Sequence, residues 1–251
     1  MLGWIDWAET PEKRHRGVVM AERTLLGVRF LGVTLPGETG HPLSQKRRAA
    51  MAARRLEKAG VTRAVFPKAF PHGEIFARHG VLPVSELPLR RELAAALTGF
   101  VMAQKGLSPG CATIGVVAER LSGDVLRTVT ELCLHNRYVL LSVPYGGTEF
   151  CRGLRRSYGV SVLENPDAGQ LNRTDILLLF APRPDLSPEK GTVLALYEGA
   201  ENAFLWEPQL PSDWAESVPA TCEMGQLLAA LTAAGALRPC QIEVQSFSPR
   251  A

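Results

Sequence analysis

Between Thr113 and Phe180 the chain keeps returning to one pattern. A short run that is apolar on both faces is followed by a longer stretch whose apolar residues fall on one side only. Thr113–Ala118, Arg137–Val143, Val160–Leu163 and Asp175–Phe180 are the runs; Asp124–Asn136 and Thr148–Tyr158 are the one-sided stretches between the first three. Strands apolar on both faces must be covered on both faces, which is the situation of a parallel sheet flanked by helices. Right-handed crossovers then wind the sheet both ways from its centre. The C-terminal half, 108–251, is therefore expected to be an α/β domain with a doubly wound parallel sheet, extended by Val193–Tyr197, a helix from a cap at Thr221 to Gly235, and a last strand at Ile242–Phe247.

The first half, 1–107, reads as a smaller α/β lobe. Its first 22 residues are polar and irregular in pattern, with Trp4 and Trp7 as anchors. Thr24–Leu35 is a strand or a bent strand pair ending at Pro36-Gly37. Leu43–Ala59 is a helix with Ala49, Ala52, Ala53 and Leu56 on one side. Val61–Phe66 is a strand, Pro71–His79 a short helix and Val81–Val84 a brief strand. A helix capped by Ser85 and closed by Gly106 links the halves.

Composition decides a few further points. With 46% hydrophobic and 21% charged residues the chain can build a core without covalent staples. The five cysteines (Cys111, Cys133, Cys151, Cys222, Cys240) contain no Cys-x-x-Cys and read as free thiols, so a cytoplasmic location is expected. No apolar stretch approaches the ~20 residues that cross a bilayer, and the first residues do not have a signal-peptide pattern. No membrane role is expected. Residues 1–107 hold 17 Lys+Arg against 9 Asp+Glu, a balance of +8, while 108–251 hold 11 against 16, a balance of −5. The basic half suits an anionic partner or the acidic half of the same chain.

The strand–turn–helix–strand order of Thr113–Val143, extending loosely to Phe180, resembles the NAD(P)-binding Rossmann family. That resemblance implies a pyrophosphate site at the first turn, built on glycines and the helix N-terminus. Here the turn reads Val117-Ala118-Glu119-Arg120-Leu121-Ser122-Gly123-Asp124, so Ser122 and Gly123 are all it offers. Glu119 and Asp124 oppose a phosphate there. The next strand ends Ser142-Val143-Pro144-Tyr145, without the carboxylate the family places against the ribose. NAD(P) is thus allowed by the architecture and disfavoured by the residues. Gly146-Gly147-Thr148 is the better anion candidate, since it presents free N–H groups at a helix start. The simpler account is a glycine turn with Thr148 as its cap.

In the first half, Phe66-Pro67-Lys68-Ala69-Phe70-Pro71-His72 is a stiff loop after a strand, with Phe66, Lys68, Phe70 and His72 as candidate ligand contacts. Its alternative reading is a loop pinned over the core by its phenylalanines. His72, Glu74 and His79 lack metal-ligand spacing, and no metal site is expected. Lys46, Arg47, Arg48, Arg54, Arg55 and Lys58 make one helix basic, but without adjacent aromatics or a known motif a nucleic-acid interface is disfavoured. Gly-x-Ser-x-Gly and Gly-x-x-x-x-Gly-Lys-Ser/Thr are both absent. What remains is a non-enzymatic module on a degenerate Rossmann-like fold that binds a small anionic ligand, a protein or a second copy of itself. The alternative is an atypical NAD(P)-dependent oxidoreductase with its active site between the lobes.

Overall fold

The computed structural model describes residues 1–8, 17–36, 41–200, 204–210, 214 and 218–249. The chain divides into two compact units. Unit 1 comprises Met1–Glu86 and Glu207–Glu243; unit 2 comprises Leu87–Trp206 and Val244–Ala251.

Unit 1 is built on a five-stranded sheet of β1 (Leu2–Trp7), β2 (Val19–Leu25), β3 (Val28–Leu35), β4 (Arg63–Val65) and β5 (Leu82–Pro83) in the order β2-β3-β1-β4-β5. β1 runs parallel to β3 and β4, β4 parallel to β5, and only β2 is antiparallel, to β3. The irregular N-terminus expected from sequence is corrected here: Leu2–Trp7 is the central strand. A central strand is covered on both faces, so Gly3, Trp4, Ile5 and Asp6 are all buried and no alternation betrays it. The segment expected as a strand or bent strand pair is a hairpin that starts earlier, at Val19. It reverses at Leu26-Gly27, whose φ of +51° and +78° match a two-residue turn of the primed kind. The Pro36-Gly37 turn lies partly outside the described residues.

Helix α1 (Pro42–Lys58) buries Ala49, Ala52, Ala53 and Leu56, the side expected from their spacing. These small residues let α1 pack closely on a core that includes Ile5, Val33, Leu35, Ala64 and Phe76. Helix α2 (Gly73–Arg78) contributes Phe76 to that core.

Unit 2 opens with two helices, α3 (Leu87–Glu92) and α4 (Ala94–Gln104), in place of the single continuous helix expected from sequence. The break is slight: Leu93 departs to ψ +7°, yet Leu93 and Leu97 still donate to Leu89 and Leu93 one turn back. The sheet follows as β6 (Thr113–Val117), α5 (Gly123–His135), β7 (Tyr138–Ser142), α6 (Gly147–Tyr158), β8 (Val162–Glu164), α7 (Ala168–Asn172), β9 (Ile176–Leu179) and β10 (Thr192–Ala195). All pairs are parallel, in the order β10-β9-β6-β7-β8. Counted from β6 this is 3-2-1-4-5, the Rossmann order, so unit 2 is a doubly wound Rossmann-like α/β domain. Ile114, Val116 and all of Ile176–Leu179 are buried, as the two-faced apolar pattern required.

β11 (Phe204–Gln209) and β12 (Glu243–Pro249) form a separate two-stranded sheet. Helix α8 (Met224–Ala233) carries Glu223 at its N-cap position. The cap expected at Thr221 is a second correction, because its hydroxyl donates instead to Asp6 Oδ1 at 3.1 Å. Parts of the Pro- and Trp-containing stretch before it lie outside the described residues.

The five cysteines are free, with Cys111 and Cys240 exposed and the other three buried. Burial disfavours the thiolate and pushes Cys133 and Cys222 up to about 12 and Cys151 to about 11; Cys151, Asp6 and Glu164 add to this for Cys133, Cys222 and Cys151 in turn. At pH 8 a disulfide reagent should therefore label Cys111 and Cys240 promptly, and the other three only after unfolding. The raised values have a stability consequence. Their contribution is complete below the ordinary thiol value of 9.0 and is lost as pH climbs through 11–12, so urea midpoints should decline only on the alkaline side. Prompt labelling of all five at pH 8 would contradict the placement of these side chains.

Candidate functional site

A doubly wound sheet leaves a crevice at the carboxyl ends of its strands, where the winding reverses. In unit 2 the reversal lies between β6 and β9, the two strands that flank the switch. A crevice of about 320 Å³ is present there. Its lining comes from the chain just beyond four strands: Val117–Glu119 after β6, Ser142–Pro144 after β7, Asn165-Pro166 after β8 and Ala181–Arg183 after β9.

Local chemistry fixes these loop ends. Asn165 has φ +49°, a left-handed conformation that asparagine tolerates better than most residues, and its N–H donates to the Leu141 carbonyl at 2.9 Å. The strand-end carbonyls of Phe180 and Leu196 accept from Arg91 of α3 at 3.3 and 2.8 Å, and its guanidinium lies 5.8 Å from the Phe180 ring centre. Arg183 is held as a fork on Asp185, two bonds of 2.7 Å that keep the Asp185 carboxyl below its usual range. Polar groups at the crevice are therefore few: Glu119, Ser142, Asn165 and a pre-oriented Arg183.

None of the glycine-loop candidates lines this crevice. Ser122 caps α5 by accepting from the Val125 N–H at 3.5 Å, and Gly123 is the exposed first residue of that helix. Gly146 takes the left-handed cap position of α6 (φ +79°), with Leu121 packed over it: a Cβ there would stand 3.1 Å from Leu121 Cδ1. A Cβ on Gly147 would meet Val143 Cγ2 at 2.9 Å. Thr148 is exposed and makes no cap. Leu121 thus occupies the space beside Gly146, and the left-handed backbone of Gly146 and the closeness of Val143 to Gly147 each call for a glycine.

In unit 1 the corresponding place is the carboxyl ends of neighbouring β1 and β4. Asp6 is buried and accepts from its neighbour Trp7 N–H (2.8 Å), from the Thr221 hydroxyl (3.1 Å) and from Arg23 (3.3 Å). The returning segment clips onto the 66–72 loop. The Lys68 N–H donates to the Thr221 carbonyl at 2.7 Å, the Glu223 N–H to the Phe66 carbonyl at 3.1 Å, and the Phe66 N–H to Gln226 Oε1 at 2.9 Å. Phe66 is buried against Phe70 and Phe76, with ring centres 5.5 and 5.4 Å away, so the loop is indeed pinned over the core. Phe70 bridges Trp7 (5.4 Å) and His72 (5.7 Å). His72 is buried, its Nε2 has no partner among the described residues, and burial, then the Lys46 charge, lowers its pKa. Lys68 stays exposed.

The structure therefore brings Phe66, Phe70 and His72 together and adds Asp6, Trp7, Thr221 and Cys222, which sequence reasoning did not select. His79 is spoken for by Glu57 at 2.9 Å. No group of three or more His, Cys, Asp or Glu is placed to hold a metal among the described residues. The basic face of α1 is exposed along Arg47, Arg54, Arg55 and Lys58, with Arg55 donating to the Val18 carbonyl at 2.9 Å. No described helix is long and apolar enough to cross a membrane.

No protein-family model matches the chain, and no curated protein sequence matches it. Among solved structures it is similar to L-tryptophan dehydrogenase from Nostoc punctiforme, at 10% identity over 77% of this chain and 62% of that one, TM-score 0.33. It is also similar to one of the subunits of dipicolinate synthase from Bacillus halodurans (13%, 74% and 71%, TM-score 0.38) and to the catalytic subunit of M. jannaschii aspartate transcarbamoylase (11%, 90% and 81%, TM-score 0.34). The chain spans less than two thirds of that dehydrogenase, and likeness at these scores carries no argument about activity.

Proposed function

We propose that this chain is a small-ligand-binding module, non-enzymatic in role, whose ligand sits in the unit 2 crevice. The observation that carries the reading is the crevice itself. It lies where doubly wound sheets hold ligands, and its volume of about 320 Å³ is at the lower end of ligand cavities. Its walls are mostly Val, Ala and Pro, with Ser142 and Asn165 to orient a polar group, while Arg183 is already paired with Asp185 and Glu119 stands on the same rim. A compact metabolite suits this better than a dinucleotide, because the first turn offers only Ser122 and Gly123 to a pyrophosphate and Ser122 is already the cap of α5. Free thiols suit a reducing cytoplasm.

A thermal-shift screen of the full chain against nucleosides, mononucleotides, dinucleotides and phosphorylated metabolites tests this. A bound compact ligand raises Tm with concentration. Asn165→Gly keeps the left-handed backbone and deletes the amide, and should weaken that ligand about tenfold. No stabilisation by any compact compound, or one indifferent to Asn165→Gly and Ser142→Ala, overturns the assignment. The second reading, an atypical NAD(P)-dependent oxidoreductase, is favoured by the 3-2-1-4-5 strand order. It requires saturable NAD(P)H binding that weakens when Gly123 or Gly147 is enlarged; its absence at millimolar cofactor removes that reading.

A further inference from the structure

At the other end of the unit 2 sheet, the amino-terminal ends of β6, β7 and β8 border an open groove of about 940 Å³. Its origin is topological. Helix α7 after β8 has five residues, too few to cover the sheet beneath it. Leu140 and Leu163 are register partners across β7 and β8, so they share a face, and Tyr138, two residues before Leu140, shares it too. Leu163 is left 48% exposed and Tyr138 44%, whereas the central strands β6 and β9 are buried nearly throughout. Val160 completes the apolar lining.

Around that floor stand Arg137, Arg155 and Arg173, and no Asp or Glu lines the groove. This is unexpected in residues 108–251, where acids outnumber bases 16 to 11. Arg137 lies over the Tyr138 ring at 5.2 Å, and Arg155 reaches only the Ser161 hydroxyl at 3.4 Å. None of the three has a carboxylate partner among the described residues. The Asp175 carboxylate is engaged away from them, accepting from the Thr113 N–H at 2.8 Å. Three guanidiniums gathered around apolar surface repel one another unless an anion joins them, and their planar forks match carboxylate or phosphate oxygens two at a time.

We infer that this groove binds a monomeric amphiphile, its apolar body on Tyr138, Leu140 and Leu163 and its carboxylate or phosphate head on Arg137, Arg155 and Arg173. The site is independent of the crevice: the two lie at opposite ends of one sheet and share no lining residue.

Isothermal titration of the full chain at low salt decides the matter, with octanoate, octyl phosphate, 1-octanol and acetate as probes. One or both octyl anions should saturate a single site, and the preferred one identifies the head group. The alcohol of equal length should bind about tenfold or more weakly, and acetate not measurably. The double variant Arg155→Ala/Arg173→Ala should weaken the anion about tenfold, and Leu163→Asp should abolish binding. All three positions are exposed, so far-UV melting should stay that of the parent chain, while Asn165→Gly should leave octyl-anion binding unchanged. Equal affinity for octanol, no saturation at millimolar probe, or indifference to the arginine double variant overturns the inference. So does sedimentation with phosphatidylserine vesicles without binding of the free anions, which would make the groove a membrane contact.

Discussion

Replacing Phe76 with alanine is expected to cost about 3–5 kcal/mol of stability in unit 1, the usual range for deleting a fully buried phenyl group. Phe76 has no exposed surface and projects from α2 into the shared core. Its ring meets Phe66 edge-on (5.4 Å, 83°) and Phe70 at 5.6 Å and 70°, geometries that aromatic quadrupoles favour. The void would therefore open directly under the 66–72 loop and loosen Phe70, which holds Trp7 and His72. Intrinsic tryptophan fluorescence during urea unfolding, to which Trp4 and Trp7 of unit 1 contribute, reports the change, and the midpoint of Phe76→Ala should fall by more than that of Phe76→Leu. A cost below about 1 kcal/mol, the level of a tolerated repacking, would mean that α2 does not seat as described.

Leu177→Ala should cost about 2–5 kcal/mol in unit 2. Leu177 is wholly buried in β9 and packs with Val117, Leu171, Leu179 and Leu186. Its neighbour across the β6–β9 pairing is Gly115, where a Cβ would stand 2.8 Å from Leu177 Cδ1 and 3.2 Å from Thr174 Cγ2. Glycine at 115 is thus a packing requirement of the leucine. Gly115→Ala alone should destabilise by about 1–3 kcal/mol through overpacking. In the Leu177→Ala background it should cost markedly less, because the added methyl enters the vacated space. A double-mutant cycle measured by denaturant titration gives the coupling, and strict additivity would show that the two side chains do not contend for one volume.

Much of unit 2 was legible because its physics is local. A strand covered on both faces must be apolar on both, and Ile176–Leu179 and Thr113–Val117 say so directly. The same rule hid β1, since tryptophan, glycine and an aspartate in six residues look unlike a strand until Asp6 is seen receiving Trp7, Thr221 and Arg23. Thr221 has the form of a helix cap, and only a partner 215 positions away redirects it. Crevice residues such as Asn165 and Ala181 carry no motif because a switch-point site is made from loop ends, not from a contiguous signature. Gly146-Gly147 carries both an anion-site and a turn reading in the sequence, because the side chains packed against it, Leu121 and Val143, come from outside the Gly-Gly-Thr pattern.

The return of residues 207–243 to unit 1 bears on how a ribosome delivers this molecule. Strand β4 and its following loop wait for partners, Gln226 and the Thr221 carbonyl among them, that emerge after nearly all of unit 2 has been synthesised. During that interval the Phe66–Phe70–Phe76 cluster lacks the segment that clips it shut, while unit 2 already has its whole parallel sheet. The amino-terminal unit is thus begun first but closed only after the unit 2 sheet has been made, and each unit takes its last segment from the carboxyl-terminal end of the chain.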